Sequence, residues 1–391
     1  MRSQGGPKGP YAHTLQGKER CPPVEHTLPV SRRHHGLDLL RLVATGMIIL
    51  HHLISHGGLM QLFPSLCRSD ILYQSINIIC YCAVNLYGLI TGYVEVGKRF
   101  RLSRLMELWM QVAATGLAIT AAFTLFSDAN PTAGDWLAAV TPLFSDSYWY
   151  FTAYFGMYLM LPMLHRMLNG LDHRRYRLLL LTGFVLFTVL PLSPRQSSFR
   201  LQYGYHILWL IVLYATGYYF RRFGFGRIGR YAPLVYIGCT AAAMLSRILI
   251  EKMILRGVTV LHPAWLEQYN TPTMYLGSCA LLALFSRIRL GERSARIVEA
   301  LCPMTFGVYL IHVHPLVFDR LIYRFFEHRG GMNGLALLLL LLAMGLGIYV
   351  ACLALDWVRI RLFRFLRLHV LMEKTEGVLH RLMERLMPEE G

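Results

Sequence analysis

Charge is scarce in this chain: 16% of its 391 residues are charged, against about 25% in an ordinary soluble domain. Between residues 37 and 356 no polar stretch is long enough to fold as a globular unit, which argues against a soluble catalytic domain. The familiar soluble signatures are missing too. There is no Walker loop, no dinucleotide fingerprint after a strand, no HExxH and no GxSxG elbow. Eight cysteines, at 21, 67, 80, 82, 239, 279, 302 and 352, form no CxxC pair and no His/Cys ligand spacing. They read as small apolar residues, with no metal site and no disulfide framework. The first 36 residues, rich in Gly, Pro, His, Arg and Lys, lack the apolar core of a signal peptide and read as a disordered cytoplasmic arm.

What the chain has instead is hydrophobic residues, 55% of the total, gathered into runs of spanning length. A hydrocarbon core of roughly 30 Å needs about 20 apolar residues in a helix. Such runs fall at about 38–56, 72–94, 105–126, 148–165, 178–193, 204–220, 231–250, 271–287, 301–318 and 334–356. In lipid each must satisfy its own backbone hydrogen bonds, so all are expected to be helices. The fold class is therefore all-α integral membrane, with about ten transmembrane helices.

Basic residues give the orientation. With the N-terminus inside, 29 of the 39 Lys and Arg fall in the inner segments and 8 in the outer loops, while Arg41 and Arg247 lie within spans. That asymmetry puts both termini in the cytoplasm. It also explains the formal net charge of +17 without a nucleic-acid partner. The domain reading is an arm over 1–36, a ten-helix domain over 37–356, and a basic amphipathic cytoplasmic tail over 357–391. The tail suits either a helix lying on the inner leaflet or one packed on the cytoplasmic loops.

Ionisable groups inside a membrane are costly and mark functional candidates. The first span, GLDLLRLVATGMIILHHLISHGG, holds the densest set. Arg41 and His52 are 11 residues apart, which is three helical turns plus roughly 20°, so they share a face about 16 Å apart along the axis. A cation at the inner mouth can hold an anionic donor, and a deeper histidine can act as a base near neutral pH. The same residues could instead snorkel to headgroups and bond a neighbouring helix. His51 points some 80° away, and His56 falls near the outer surface. Arg101 and Arg104, opening the third span, could bind phosphates or simply follow the positive-inside bias. Tyr148, Trp149 and Tyr150 fit an interfacial aromatic belt or the lining of a site open to sugars. His312, with Tyr309 three residues before it, suits either a packed or a functional role. Glu95 and Asp356 sit at span ends and are expected at the interface.

Four blocks in order, GLDLLRLVATGMIILHH, CAVNLYGLITGYVEVGKRFRLSR, YWYFTAYFGMYLMLPML and FGVYLIHVHPLV, resemble the membrane acyltransferase-3 family, in a style similar to its Gram-positive branch. The likeness covers about Gly36 to Asp356. Thr91-Gly92-Tyr93 stands where the family usually has Ser-Gly-Tyr, and Met106-Glu107 where its arginine motif often continues into Pro. The resemblance implies an enzyme of the cell membrane that transfers an acyl group, usually acetyl from acetyl-CoA, to a hydroxyl of a cell-envelope carbohydrate such as an exopolysaccharide. It implies that Arg41 and His52 are the essential pair and that Arg101 and Arg104 help hold the donor. Asn85, Thr91, Tyr148, Trp149, Tyr150, Tyr154, Tyr309 and His312 would line the cavity or contact the acceptor. No permanently bound cofactor is implied; acyl-CoA is a co-substrate. His52 could act as general base or take the acyl group itself. The competing class is a polytopic transporter of a small polar substrate, disfavoured by the lack of an inverted repeat or paired broken helices.

Reporter fusions after Arg104, Arg177, Arg230 and Arg296 test the orientation. All four should report cytoplasm, and an outside signal at any one would break the span assignment there.

Overall fold

The computed structural model describes residues 33–128, 130–145, 147–195, 198–259 and 261–386, and carries no strand among them. Almost all of the expected N-terminal arm lies outside that range. Everything below belongs to the unit His34–Gly391.

The first long helix, α1, runs His35–Ser55. The second crossing is made by two helices in series, α2 (Arg68–Tyr81) and α3 (Ala83–Glu95), and the third by α4 (Leu102–Phe126). A short α5 (Ala133–Val140) is closed by a capping box between Thr132 and Asp135. The expected fourth span divides into α6 (Trp149–Leu159) and α7 (Leu161–Asn169). Pro162 lacks the amide that would bond the Tyr158 carbonyl, so the break falls there. Helix α8 (His173–Phe184) runs into a π-helical turn, Val185–Val189, and then a 3-10 turn, Leu190–Leu192. Next come α9 (Ile207–Phe223), α10 (Gly226–Arg230), α11 (Ala232–Leu255) and α12 (Pro272–Phe285). The late region is broken into α13 (Glu292–Leu301), α14 (Thr305–His312) and α15 (Pro315–Leu321). Helix α16 runs unbroken from Gly334 to Phe365, past Asp356 into the expected tail, and α17 (Leu368–Leu386) follows.

Seven segments are long and apolar enough to cross a membrane: 35–62, 68–95, 102–126, 173–192, 232–255, 292–312 and 334–365. The other expected spans fall on the α6–α7 pair, on α9 with 17 residues and on α12 with 14. Helix α1 packs against α2, α3, α12, α13, α14 and α16. Helices α8, α11 and α16 lie outside and expose leucine and isoleucine faces, among them Leu178, Leu181, Leu234, Ile237, Leu339 and Leu346. Apolar faces of that length would aggregate in water and are at home in lipid.

The closest helix pair is α3 against α9. A Cβ added at Gly92 would fall on the Tyr214 carbonyl oxygen, and one at Gly217 on the Leu89 carbonyl oxygen. Gly88, one turn before Gly92, lies 2.9 Å from the Leu213 Cβ by the same construction. This is the small-residue approach by which membrane helices gain van der Waals contact. The tail helix α17 packs on α4, burying Met372. Glu373 Oε1 accepts from Arg101 Nη2 at 2.7 Å, and Glu376 Oε1 accepts from the Leu102 amide at 2.6 Å, capping α4. Burial alone would raise the Glu376 carboxyl. The neighbouring Ser103 hydroxyl, the Leu102 and Ser103 amides and Arg101 hold it below its ordinary value instead. The tail helix is thus in contact with the start of α4.

Gly92→Ala should lower the thermal midpoint of the detergent-purified protein, at a cost of about 1–3 kcal/mol or more, because backbone rather than a flexible side chain stands in the way. Gly238→Ala, where nothing lies within 4 Å, should leave it unchanged. Equal midpoints for the two variants would mean that α3 and α9 do not meet this closely.

Candidate active site

A cavity of about 350 Å³ opens beside α1. Thr45 and His52 line it from α1, Tyr87 from α3, Trp149 and Tyr150 from α6, and Tyr309 and His312 from α14. Tyr269, just before α12, closes another wall. The helix breaks explain why the late motif reaches this space. Pro315 ends α14 within one turn of His312, which turns the chain aside and leaves the imidazole in the wall.

The centre of the site is a line of hydrogen bonds. His312 Nδ1 lies 2.7 Å from the Val308 carbonyl oxygen, which can only accept, so Nδ1 carries the proton and Nε2 a lone pair. His52 Nδ1 lies 3.2 Å from that Nε2 and therefore donates to it. In the neutral ring this puts a lone pair on His52 Nε2, in the cavity that His52 lines. His51, its neighbour, faces the other way. Its Nδ1 meets Asn77 Oδ1 at 2.7 Å, and Ser55 donates to the same oxygen at 3.1 Å.

Arg41 lies below the cavity, one helical turn under Thr45, and its Nη1 bonds Asp38 at 2.7 Å. Thr45 donates to the Arg41 carbonyl at 2.8 Å and accepts from the Tyr87 hydroxyl at 2.6 Å, so this turn of α1 forms the cavity floor. Arg101 and Arg104 stand outside the cavity. Arg104 bonds Glu95 at 3.2 Å, and Arg101 is held by Glu373 of the tail helix. Glu95 and Asp356, expected at span ends, are buried within the protein: Glu95 takes Lys98 and Arg104, and Asp356 takes Arg359 through two bonds at 2.6 and 2.9 Å.

Of the other residues singled out, Trp149, Tyr150, Tyr309 and His312 share the cavity with His52. Tyr148 stands behind the wall, donating to the Leu310 carbonyl at 3.2 Å. Tyr154 stacks on Tyr150, and Thr91 is bonded back to the Tyr87 carbonyl. Asn85 is buried; it donates to the Tyr269 carbonyl at 2.7 Å and accepts from Trp209 at 3.0 Å, which positions the Tyr269 wall. Sequence reasoning missed Thr45, Tyr87 and Tyr269. Thr45 sits one turn past Arg41 and could have been found by helical phase, whereas Tyr269 lies in a loop with no periodic signal. Among the described residues no group of three or more His, Cys, Asp or Glu is placed to hold a metal.

In comparison with known proteins, the family described as an acyltransferase domain matches residues 34–357. No curated protein and no solved structure matches the chain.

Imidazole ¹⁵N resonances of labelled protein test the bond line directly. His52 should carry its proton on Nδ1 and leave Nε2 bare, and His312→Ala should remove that preference. An Nε2–H tautomer for His52 in the unaltered protein would contradict the arrangement.

Proposed function

The chain belongs to the membrane acyltransferase-3 family, and we propose that it moves an acyl group, in the simplest case acetyl, from cytoplasmic acyl-CoA to a hydroxyl of a cell-envelope carbohydrate or related acceptor. In this reading the protein crosses the cell membrane ten times, with the Arg41 end of α1 facing the cytoplasm. The observation that carries the reading is the His52–His312–Val308 line, which leaves a bare imidazole nitrogen on a residue that lines the cavity.

The chemistry follows from that nitrogen. His52 Nε2 takes the proton of the acceptor hydroxyl as its oxygen attacks the thioester carbonyl. The C–S bond breaks as the tetrahedral intermediate collapses, and the thiolate leaves with the proton from the imidazolium. While His52 is charged, its Nδ1–H points at the His312 lone pair, and His312 in turn donates to a carbonyl. Each donor therefore already faces an acceptor when the positive charge appears. Arg41 supplies a cation roughly 16 Å down the helix, a distance suited to holding donor phosphates while the pantetheine arm reaches upward. Arg101 and Arg104 would extend the same anionic contact at the inner surface. Trp149 and Tyr150 offer ring faces on the acceptor side.

Transfer of labelled acetyl from acetyl-CoA to oligosaccharide by the purified protein in lipid nanodiscs is the test. His52→Ala should lower turnover by at least about 10²-fold at unchanged yield of folded protein, as loss of a general base does. His51→Ala should be far milder. Arg41→Lys should fold and lose most activity, since Lys keeps the charge without the planar fork. A dead His51→Ala beside an active His52→Ala would overturn the assignment, and label trapped on His52 without acceptor would replace direct attack by an acyl-imidazole route.

A further inference from the structure

A second cavity, about 370 Å³, lies between the α8–α9 connection and the loop before α12. Its wall adjoins the first cavity residue by residue: Tyr269 lines the first, and Gln268, Asn270 and Thr271 line the second. Tyr205, two residues after Tyr203 of the second cavity, packs on Trp149 and Tyr269 of the first, with ring centroids 4.3 and 5.1 Å away. Both connections lie on the side assigned to the acceptor.

Three independent features show that this hollow is built. The first is a buried hydroxyl left over. Thr188 is 1% exposed, lines the cavity, and its Oγ1 has no hydrogen-bond partner. Thr45, Thr91, Thr124, Thr216 and Thr240 each bond the carbonyl four residues back, but Thr188 sits in the π-helical turn and does not. A buried hydroxyl without a partner is unfavourable unless something arrives to fill it. The π-helical turn itself is a feature that concentrates at functional sites.

The second feature is the way the helix break is repaired. Pro191 has no amide to give the Phe187 carbonyl, and Asn270 Nδ2 donates there instead at 3.0 Å. The same nitrogen donates to the Arg200 carbonyl, also at 3.0 Å, tying the far loop to the helix end. The third is backbone strain. Leu201, Gln202 and Tyr203 all lie in the left-handed region, at φ 47°, 48° and 60°. Three consecutive non-glycine residues there are costly and persist only where the surroundings hold them. The outcome is a Tyr203 ring standing at the cavity, 47% exposed, with Trp265 also in the lining.

We propose that this cavity is a subsite for a sugar residue of the acceptor chain, one or more units from the residue that is acylated. Flat Trp and Tyr faces beside amide, hydroxyl and guanidinium groups are the chemistry that recognises a hydroxyl-rich ring. Trp265 is fixed for this, its Nε1 donating to the Leu192 carbonyl at 2.8 Å. The inference rests on the acceptor being a carbohydrate, as proposed above, and it adds that the acceptor is an oligomer held at two places.

Sugar binding needs no donor, so it can be measured apart from transfer. Glucose, N-acetylglucosamine and glucuronic acid, each as monomer and as oligomers of two to six units, are titrated into the full-length protein in nanodiscs and followed by tryptophan fluorescence. At least one series should bind fivefold or more tighter as an oligomer than as a monomer. Tyr203→Ala and the isosteric Thr188→Val should both erase that gain while leaving monomer binding and the thermal midpoint in place. The subsite is overturned if no series gains with length, or if the gain survives both substitutions. A length gain in a protein that transfers no acetyl would sink the acyltransfer reading alone, and transfer to sugars without a length gain would sink the subsite alone.

Discussion

Helix α1 is flanked by six other helices, so most of the polar side chains it carries must find partners inside the protein. Five do so in turn. Arg41 takes Asp38, Thr45 takes Tyr87, His51 takes Asn77, Ser55 shares that Asn77, and His52 takes His312. Each partner but Asp38 comes from another helix, so the polar residues fix how α2, α3 and α14 stand around α1. In a membrane interior an unmade bond has no water to replace it, which gives such pairs their hold on geometry. The cavity is what remains between α1, α3, α6 and α14 once those pairs are satisfied.

The same constraint accounts for where helices break. Pro162, Pro191 and Pro315 each interrupt a helix; Pro191 and Pro315 line the two cavities, while Pro162 lies on an exposed face. Where the structure shows the freed carbonyl of Phe187, a side chain from a distant loop reaches it. Irregular backbone at membrane depth is tolerated only where protein or a cavity lines it. Both cavities therefore follow from proline placement together with the donors that repair it.

Much of this was legible in the chain. Hydropathy alone marks α1, α4, α11 and α16 as long apolar helices, and helical phase puts Arg41 and His52 on one face while turning His51 away. Local pattern fails where the partner is distant. The 260 residues between His52 and His312 hide their bond, and nothing near Tyr269 announces that Asn85 holds it in the wall. The partners of Glu95 and Asp356 show the same limit at shorter range: Arg104 and Arg359 fold over these two carboxylates and make their burial in the protein tolerable. The tail was ambiguous because its basic residues suit headgroups, whereas the contacts it makes include Glu373 and Glu376 on the start of α4.

The central claim is that His52 Nε2 is the base that faces the acceptor hydroxyl beside the reacting carbonyl. The most direct test is an experimental structure of the protein with an acyl-CoA analogue whose thioester sulfur is replaced by methylene, so that it binds without reacting. The account predicts the acyl carbonyl in the cavity between His52, Trp149 and Tyr309, with the coenzyme phosphates on the Arg41 side of the same helix. An acyl group lodged against His51 and Asn77, or phosphates at the opposite end of α1, would contradict it.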